Sequence, residues 1–193
     1  MKEELRVKIL EVAEKEFLEN GFDKASLRNI AKCSGTTIGN IYHYFDNKEA
    51  LFTALVKGEY QAFLHLMEHN KNPDIIHYDK EQGESVPWRE VFRKNLSSMM
   101  PIFSVKFLLL IDCSGNTKYG SAKQQVLIMI EEHIQSHMRE LGMQASPGFE
   151  AALAQQLLAG LLYIIRTCED DSRKHLLISD MFAFYMAGLL HFS

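Results

Sequence analysis

Between Ser26 and Glu49 the chain gathers Ser26, Arg28, Thr36, Thr37, Asn40, Tyr42, His43, Tyr44 and Lys48 on or beside two short helical stretches. Hydrogen-bonding side chains raised from short helices suit contacts with phosphates and base edges. Ser26 to Cys33 has the pattern of one short helix, Ser34-Gly35-Thr36 breaks it, and Thr37 to Phe45 resumes. Two short helices joined by a glycine turn make a helix-turn-helix, whose second helix enters the major groove with its N-terminal residues at base edges. Competing chemistries lack their parts. There is no glycine-rich phosphate cradle and no Ser-His-Asp set recognisable by spacing. His65 and His69, and His133 and His137, are four apart and face one way on a helix, as a metal site would use. Neither pair lies in His-Glu-x-x-His or has a clear third ligand, so no metal is expected. Cys33, Cys113 and Cys168 are odd in number and far apart, which excludes a disulfide framework and reads as buried reduced thiols.

The surrounding residues are those needed to hold such helices. Leu27, Ile30 and Ala31 share one face of the first. Ser26 stands where an N-cap hydroxyl accepts a backbone N–H, and Gly35 lies where a left-handed residue costs least. Thr37 can cap the second helix. Ile41 and Phe45 point one way into a small core, with Gly39 and Asn40 off that face. Glycine at position 39 lets the backbone come close to phosphates. Asp46-Asn47-Lys48-Glu49 reads as a capping box opening another helix.

Gly21-Phe22, Ala25 to Lys32, Ser34 to Thr37 and Gly39 to Phe52 together resemble the DNA-binding domain of the tetracycline-repressor (TetR) family. The resemblance runs without a gap from about Leu5 to Val56. Its most specific part is Tyr42-His43-Tyr44-Phe45 with Lys48-Glu49 just beyond. It implies that Ser26, Arg28, Thr36, Thr37, Ile38, Asn40, Tyr42, His43, Tyr44 and Lys48 form the DNA face. Tyr42 and Lys48 match phosphate grips, while Thr37, Asn40 and His43 match positions facing the groove. Arg28 matches a position reaching a phosphate or base. The chemistry fits, since Arg forks onto guanine and Asn pairs with adenine. Tyr44 reads equally as a phosphate contact or a ring packed between helices. Ile38 stands where the family often has a polar residue, and reads as a thymine-methyl contact, as a structural apolar residue or as a mark of weak binding.

The rest of the chain is helical in texture. The first helix runs from about Lys2 to Asn20 and stops at Gly21; a fourth opens at Asn47. A polar connector spans 70–87, and a helix follows from Trp88 to about Met100, ended by Pro101. Further helices are expected over Phe103–Asp112, Ser121–Leu141, Ser146-Pro147 to Cys168, and on to about Leu190. No strand alternation or repeat stands out. The expectation is an all-α protein of about nine helices, with residues 1–48 as the DNA-binding domain and 49–193 as a helical ligand-binding and dimerisation domain.

Phe63, Trp88, Phe92, Met99, Phe103, Phe107 and Met129 supply bulky, adaptable side chains for an inducer pocket, which the resemblance implies. Leu153, Gln156, Leu157, Gly160, Leu161 and Ile164, with Phe182, Tyr185, Met186 and Leu189, make two largely apolar helices. A symmetric four-helix bundle would bury their excess surface. The implied partners are double-stranded DNA with a palindromic operator, a second copy of the chain and an unidentified small-molecule inducer, without a membrane or cofactor. The expected function is a repressor released by its inducer. The alternatives are a ligand-independent DNA-organising factor and a helical carrier or enzyme.

Charge works against a simple basic DNA binder. Residues 1–57 carry nine basic and nine acidic side chains; taking these from the 21 and 25 of the whole chain leaves 12 basic and 16 acidic. Six of the nine N-terminal acids lie between Glu3 and Glu19, so DNA affinity rests on a local patch and is salt-sensitive. The apolar runs Phe107–Ile111 and Leu157–Ile165 are far short of a membrane span, and Met1 to Arg6 shows no apolar signal core, so a cytoplasmic protein is expected.

Overall fold

A computed structural model describes residues 2–69 and 100–190 of the 193-residue chain. Among these residues all regular structure is helical: eight α-helices and one short 3-10 turn. The connector over 70–87 and the helix from Trp88 lie outside the described residues.

Helix α1 (Lys2–Lys24) buries Ile9, Ala13, Glu16 and Phe17, a face at helical spacing. Gly21, at φ 69 and ψ 169, interrupts it where the sequence placed its end, and one further turn follows. Helix α2 (Leu27–Ser34) turns Ile30 and Ala31 inward, and helix α3 (Ile38–Tyr44) turns Ile41 inward. Helix α4 (Lys48–His69) buries Leu51, Phe52, Leu55, Val56 and Phe63. Phe17 meets Phe52 edge-on at 5.1 Å between centroids and Phe22 meets it at 5.5 Å, so an aromatic cluster joins α1 to α4.

Two expected helix starts differ. The capping box is absent: Asn47 Oδ1 accepts the Ala50 N–H at 2.8 Å, which puts Glu49 one position too early to reach back. Glu49 instead accepts the Lys118 N–H at 3.0 Å. Pro147 does not open its helix either. Gly148, at φ 84, is the cap without a side-chain bond, and the helix begins at Phe149.

After the 3-10 turn Met100–Ile102 comes helix α5 (Val105–Asp112), whose Phe107 to Ile111 are all buried. A helix apolar on every side belongs in a core. The following loop closes against α1 and α4. Phe22 N–H donates to Cys113 O at 2.9 Å, Asn116 Nδ2 donates to Asp23 Oδ1 at 3.2 Å, and Tyr119 meets Tyr60 edge-on at 5.1 Å. Residues up to Leu64 and Val105–Lys123 therefore form one compact unit, larger than the helix-turn-helix itself.

The second unit holds most of helix α6 (Ala122–Glu140), with helices α7 (Phe149–Thr167) and α8 (Asp171–Leu190). A Cβ added to Gly160 of α7 would sit 2.8 Å from Met181 Sδ, so α7 and α8 approach closely there. On α6, His133 Nε2 and His137 Nε2 are 2.9 Å apart, with His137 buried. Desolvation, then the neighbouring His137, hold His133 down to about 4 from 6.5, and desolvation also lowers His137. Glu140 opposes both shifts only in part.

Both rings stay neutral in the fold while an unfolded chain would protonate near 6.5. Stability present at neutral pH is thus lost as pH falls from 6.5 toward about 4. Melting temperature measured across that range should fall less steeply for His133→Gln than for the wild type.

Candidate nucleic-acid interface

The turn between α2 and α3 is built by local hydrogen bonds. Ser26 Oγ accepts the Asn29 N–H at 3.3 Å, starting α2. Gly35 at φ 70 and ψ 34 ends it, with its N–H on Lys32 O at 3.2 Å and the Thr36 N–H on Ala31 O at 2.9 Å. A side chain at that φ would be strained. Thr37 Oγ1 then accepts the Asn40 N–H at 3.2 Å and starts α3. Ile41 and Phe45 anchor α3 from below, so its opposite face looks outward.

That face carries Thr37, Gly39, Asn40, Tyr42 and His43, all exposed, with Ile38 half-buried beside them. Tyr42 is 51% exposed, unusual for an aromatic ring without a partner surface. Asn40 Nδ2 donates to Thr36 Oγ1 at 2.9 Å, so the amide is oriented before any ligand arrives. Arg28 projects into solvent from α2 and has no ion-pair partner among the described residues.

Three expected contacts are already engaged. Lys48 Nζ donates to Asp23 O and Ala25 O, each at 3.1 Å, and lies 4.7 Å from the Phe22 ring centroid. Its ammonium ties the start of α4 to the end of α1. Tyr44 OH donates to Lys2 O at 3.0 Å, matching the reading of a ring packed between helices. Ser26 Oγ serves as the α2 cap.

Sequence reasoning missed two residues. Lys8, on a helix read as acidic, brings its ammonium 3.8 Å from where a Gly35 Cβ would stand, adding positive charge beside the turn. Glu16, only counted among the acids of the first helix, is 6% exposed and accepts the Ser26 N–H at 2.9 Å. Its position on the apolar face of α1, one residue before Phe17, was the available signal.

The other predicted sets fall in both units. Phe63 and Phe107 are buried in the first unit. In the second, Phe103 stacks on Phe182 at 6.3 Å and Met129 is half-buried. Trp88, Phe92 and Met99 lie outside the described residues. A groove of about 430 Å³ opens at the α6–α7 turn, lined in part by Gln135, Met138, Arg139 and Glu150. Leu157, Leu161, Ile164, Met186 and Leu189 are buried within the single chain; Leu153, Gly160, Phe182 and Tyr185 are half-buried, and Gln156 is exposed. Instead Tyr163, at 67%, and Phe184, at 78%, stand open on α7 and α8 with Leu176 and Leu177. Helical phase is the reason: the inner stripe supplies the fold's own core. Among the described residues no three His, Cys, Asp or Glu side chains group to hold a metal ion, and no helix is long and apolar enough to cross a membrane.

Residues 9–55 match the family model described as bacterial regulatory proteins, tetR family. The chain is 29% identical over 106 residues to the HTH-type transcriptional repressor AcnR of Corynebacterium glutamicum, a stretch covering 53% of this chain and 56% of AcnR. The chain thus spans little more than half the length of that relative. It is 26% identical over 163 residues to the HTH-type transcriptional regulator UidR of Escherichia coli, covering 82% of this chain and 78% of UidR. Its fold resembles the crystal structure of AibR in complex with isovaleryl coenzyme A and operator DNA, with TM-score 0.56, 18% identity, and coverage of 92% of this chain and 96% of that one.

A Cβ on Gly39 would meet only Thr37 Oγ1, at an ordinary 3.7 Å, so the fold itself does not require glycine there. Gly39→Ala should leave the melting temperature unchanged or raised, by up to about 1 kcal/mol of helix propensity. It should weaken binding to a target duplex about tenfold or more, through lost close approach of the backbone. Thermal melts beside a DNA titration check both halves.

Proposed function

We propose that this chain is a member of the tetracycline-repressor family of bacterial regulators and acts as a homodimeric, operator-binding transcriptional repressor released by a small molecule. The observation that carries the reading is the outward face of α3: polar side chains on a helix capped at Thr37 and anchored through Ile41 and Phe45. Arg28 and Asn40 would read base edges and Tyr42 would grip phosphate. Regulators and repressors among the sequence relatives favour this over a helical enzyme or carrier.

Helices α7 and α8 support the dimer. Ala152, Gln156, Ala159 and Tyr163 make an exposed stripe on one, and Leu177, Asp180, Phe184 and Gly188 on the other. Small residues beside large apolar ones suit close packing against a symmetry mate. Two recognition helices about 34–36 Å apart would then meet successive major grooves. An inducer would act by favouring a spacing unsuited to both half-sites. Helix α4 would carry that movement, with the loop after α5 as a second handle, since it holds Asp23 and Glu49.

Titrating the protein against duplex DNA from upstream of its own gene at two salt concentrations tests the reading. Arg28→Ala should cost about 1–3 kcal/mol of operator binding, and Tyr42→Phe should weaken all duplexes to a similar, smaller degree. Equal, salt-independent binding to any duplex would reject it. Separately, Phe184→Glu should shift the chain from dimer to monomer in sedimentation, because a charge then replaces the most exposed ring of the stripe.

A further inference from the structure

We propose that Glu16 is a positioning residue for DNA recognition, its buried carboxylate fixing the pose of α2 and, through the turn, of α3. The proposal rests on the DNA-binding reading above and extends it to a residue that would touch no DNA. Acids are rarely this buried unless paired. Among the described residues no cation supplies the pairing: Glu16 Oε1 accepts the Ser26 N–H at 2.9 Å, and Oε2 accepts from the Asn29 side-chain amide. Both donors sit in the first turn of α2, the positive end of its dipole. Ser26 Oγ holds the Asn29 N–H in the other direction, so one carboxylate and one hydroxyl bind both ends of the same turn.

Arg28 lies between those two anchored residues and is exposed. Helix α2 has eight residues, too few to be stable alone, so outside contacts decide its orientation. Ile30 and Ala31 hold it by non-directional burial. The Glu16 bonds supply direction. Gly35 joins α2 to α3 over three residues, so α3 inherits any error in that direction.

Electrostatics and positioning predict opposite signs. Deleting an acid from a DNA-binding domain should strengthen binding to any duplex through phosphate attraction alone. If Glu16 positions α2, Glu16→Ala should instead weaken operator binding about tenfold or more, while binding to unrelated duplex stays equal or tightens. The double variant Glu16→Gln/Asn29→Asp restores the net charge and reverses the hydrogen bond, the glutamine amide donating to the new carboxylate. It should return operator affinity to within about threefold of wild type, the mark of direct coupling. Full-length wild type and both variants are titrated with the upstream duplex and an unrelated one, with helicity followed by circular dichroism. Operator affinity in Glu16→Ala equal to or above wild type overturns the assignment, as does a folded double variant as weak as Glu16→Ala. If Glu16→Ala unfolds, the double variant alone decides by the same threefold criterion. Wild type failing to distinguish the two duplexes would overturn the DNA-binding reading, and this assignment with it.

Discussion

The three-residue joint between α2 and α3 governs the candidate interface. Gly35 in the left-handed region turns the chain while its N–H and that of Thr36 satisfy the last carbonyls of α2. Thr37 Oγ1 then takes the Asn40 N–H in the first turn of α3. These bonds let two helices of eight and seven residues keep a fixed angle across so tight a corner. The apolar anchors Ile30, Ala31, Ile41 and Phe45 decide which sides of that angle are buried. The exposed Asn40, Tyr42 and His43 are what remains on the other side.

That corner is supported from behind by longer connections. Lys48 ties the start of α4 to the carbonyls ending α1, and Tyr44 ties the end of α3 to the start of α1. The loop after α5 reaches the same region through Phe22, Asp23 and Glu49. The compact unit around the helix-turn-helix therefore includes chain from the middle of the sequence. Helix α6 continues directly from that loop.

Local placement answers the neutral charge of residues 1–57. Arg28 and Lys32 are exposed on α2, and Lys8 stands beside the Gly35 turn. Glu16, one of the acids that cancels them in a net count, is turned inward and met by N–H groups. A net charge of zero thus conceals an asymmetric surface, and at short range the distribution matters more than the sum.

The sequence by itself determined what short-range rules determine. Ser26, Gly35 and Thr37 act within three or four residues of themselves, and the spacing of Ile9, Ala13 and Phe17 needs only a helix of regular pitch. So the all-α class and the outward face of α3 were legible before any coordinates. Where two local signals competed, as between Asp46 and Asn47 for the α4 cap, sequence alone chose wrongly. Tertiary structure decided what depends on distant partners: Lys48 with a carbonyl 25 residues away, Asn29 with a carboxylate 13 away, Asp23 with Asn116 93 away. It also chose which apolar stripe of α7 and α8 became core and which stayed open at Tyr163 and Phe184. Helical period shows that a face exists, but only the packed neighbours say which face they cover.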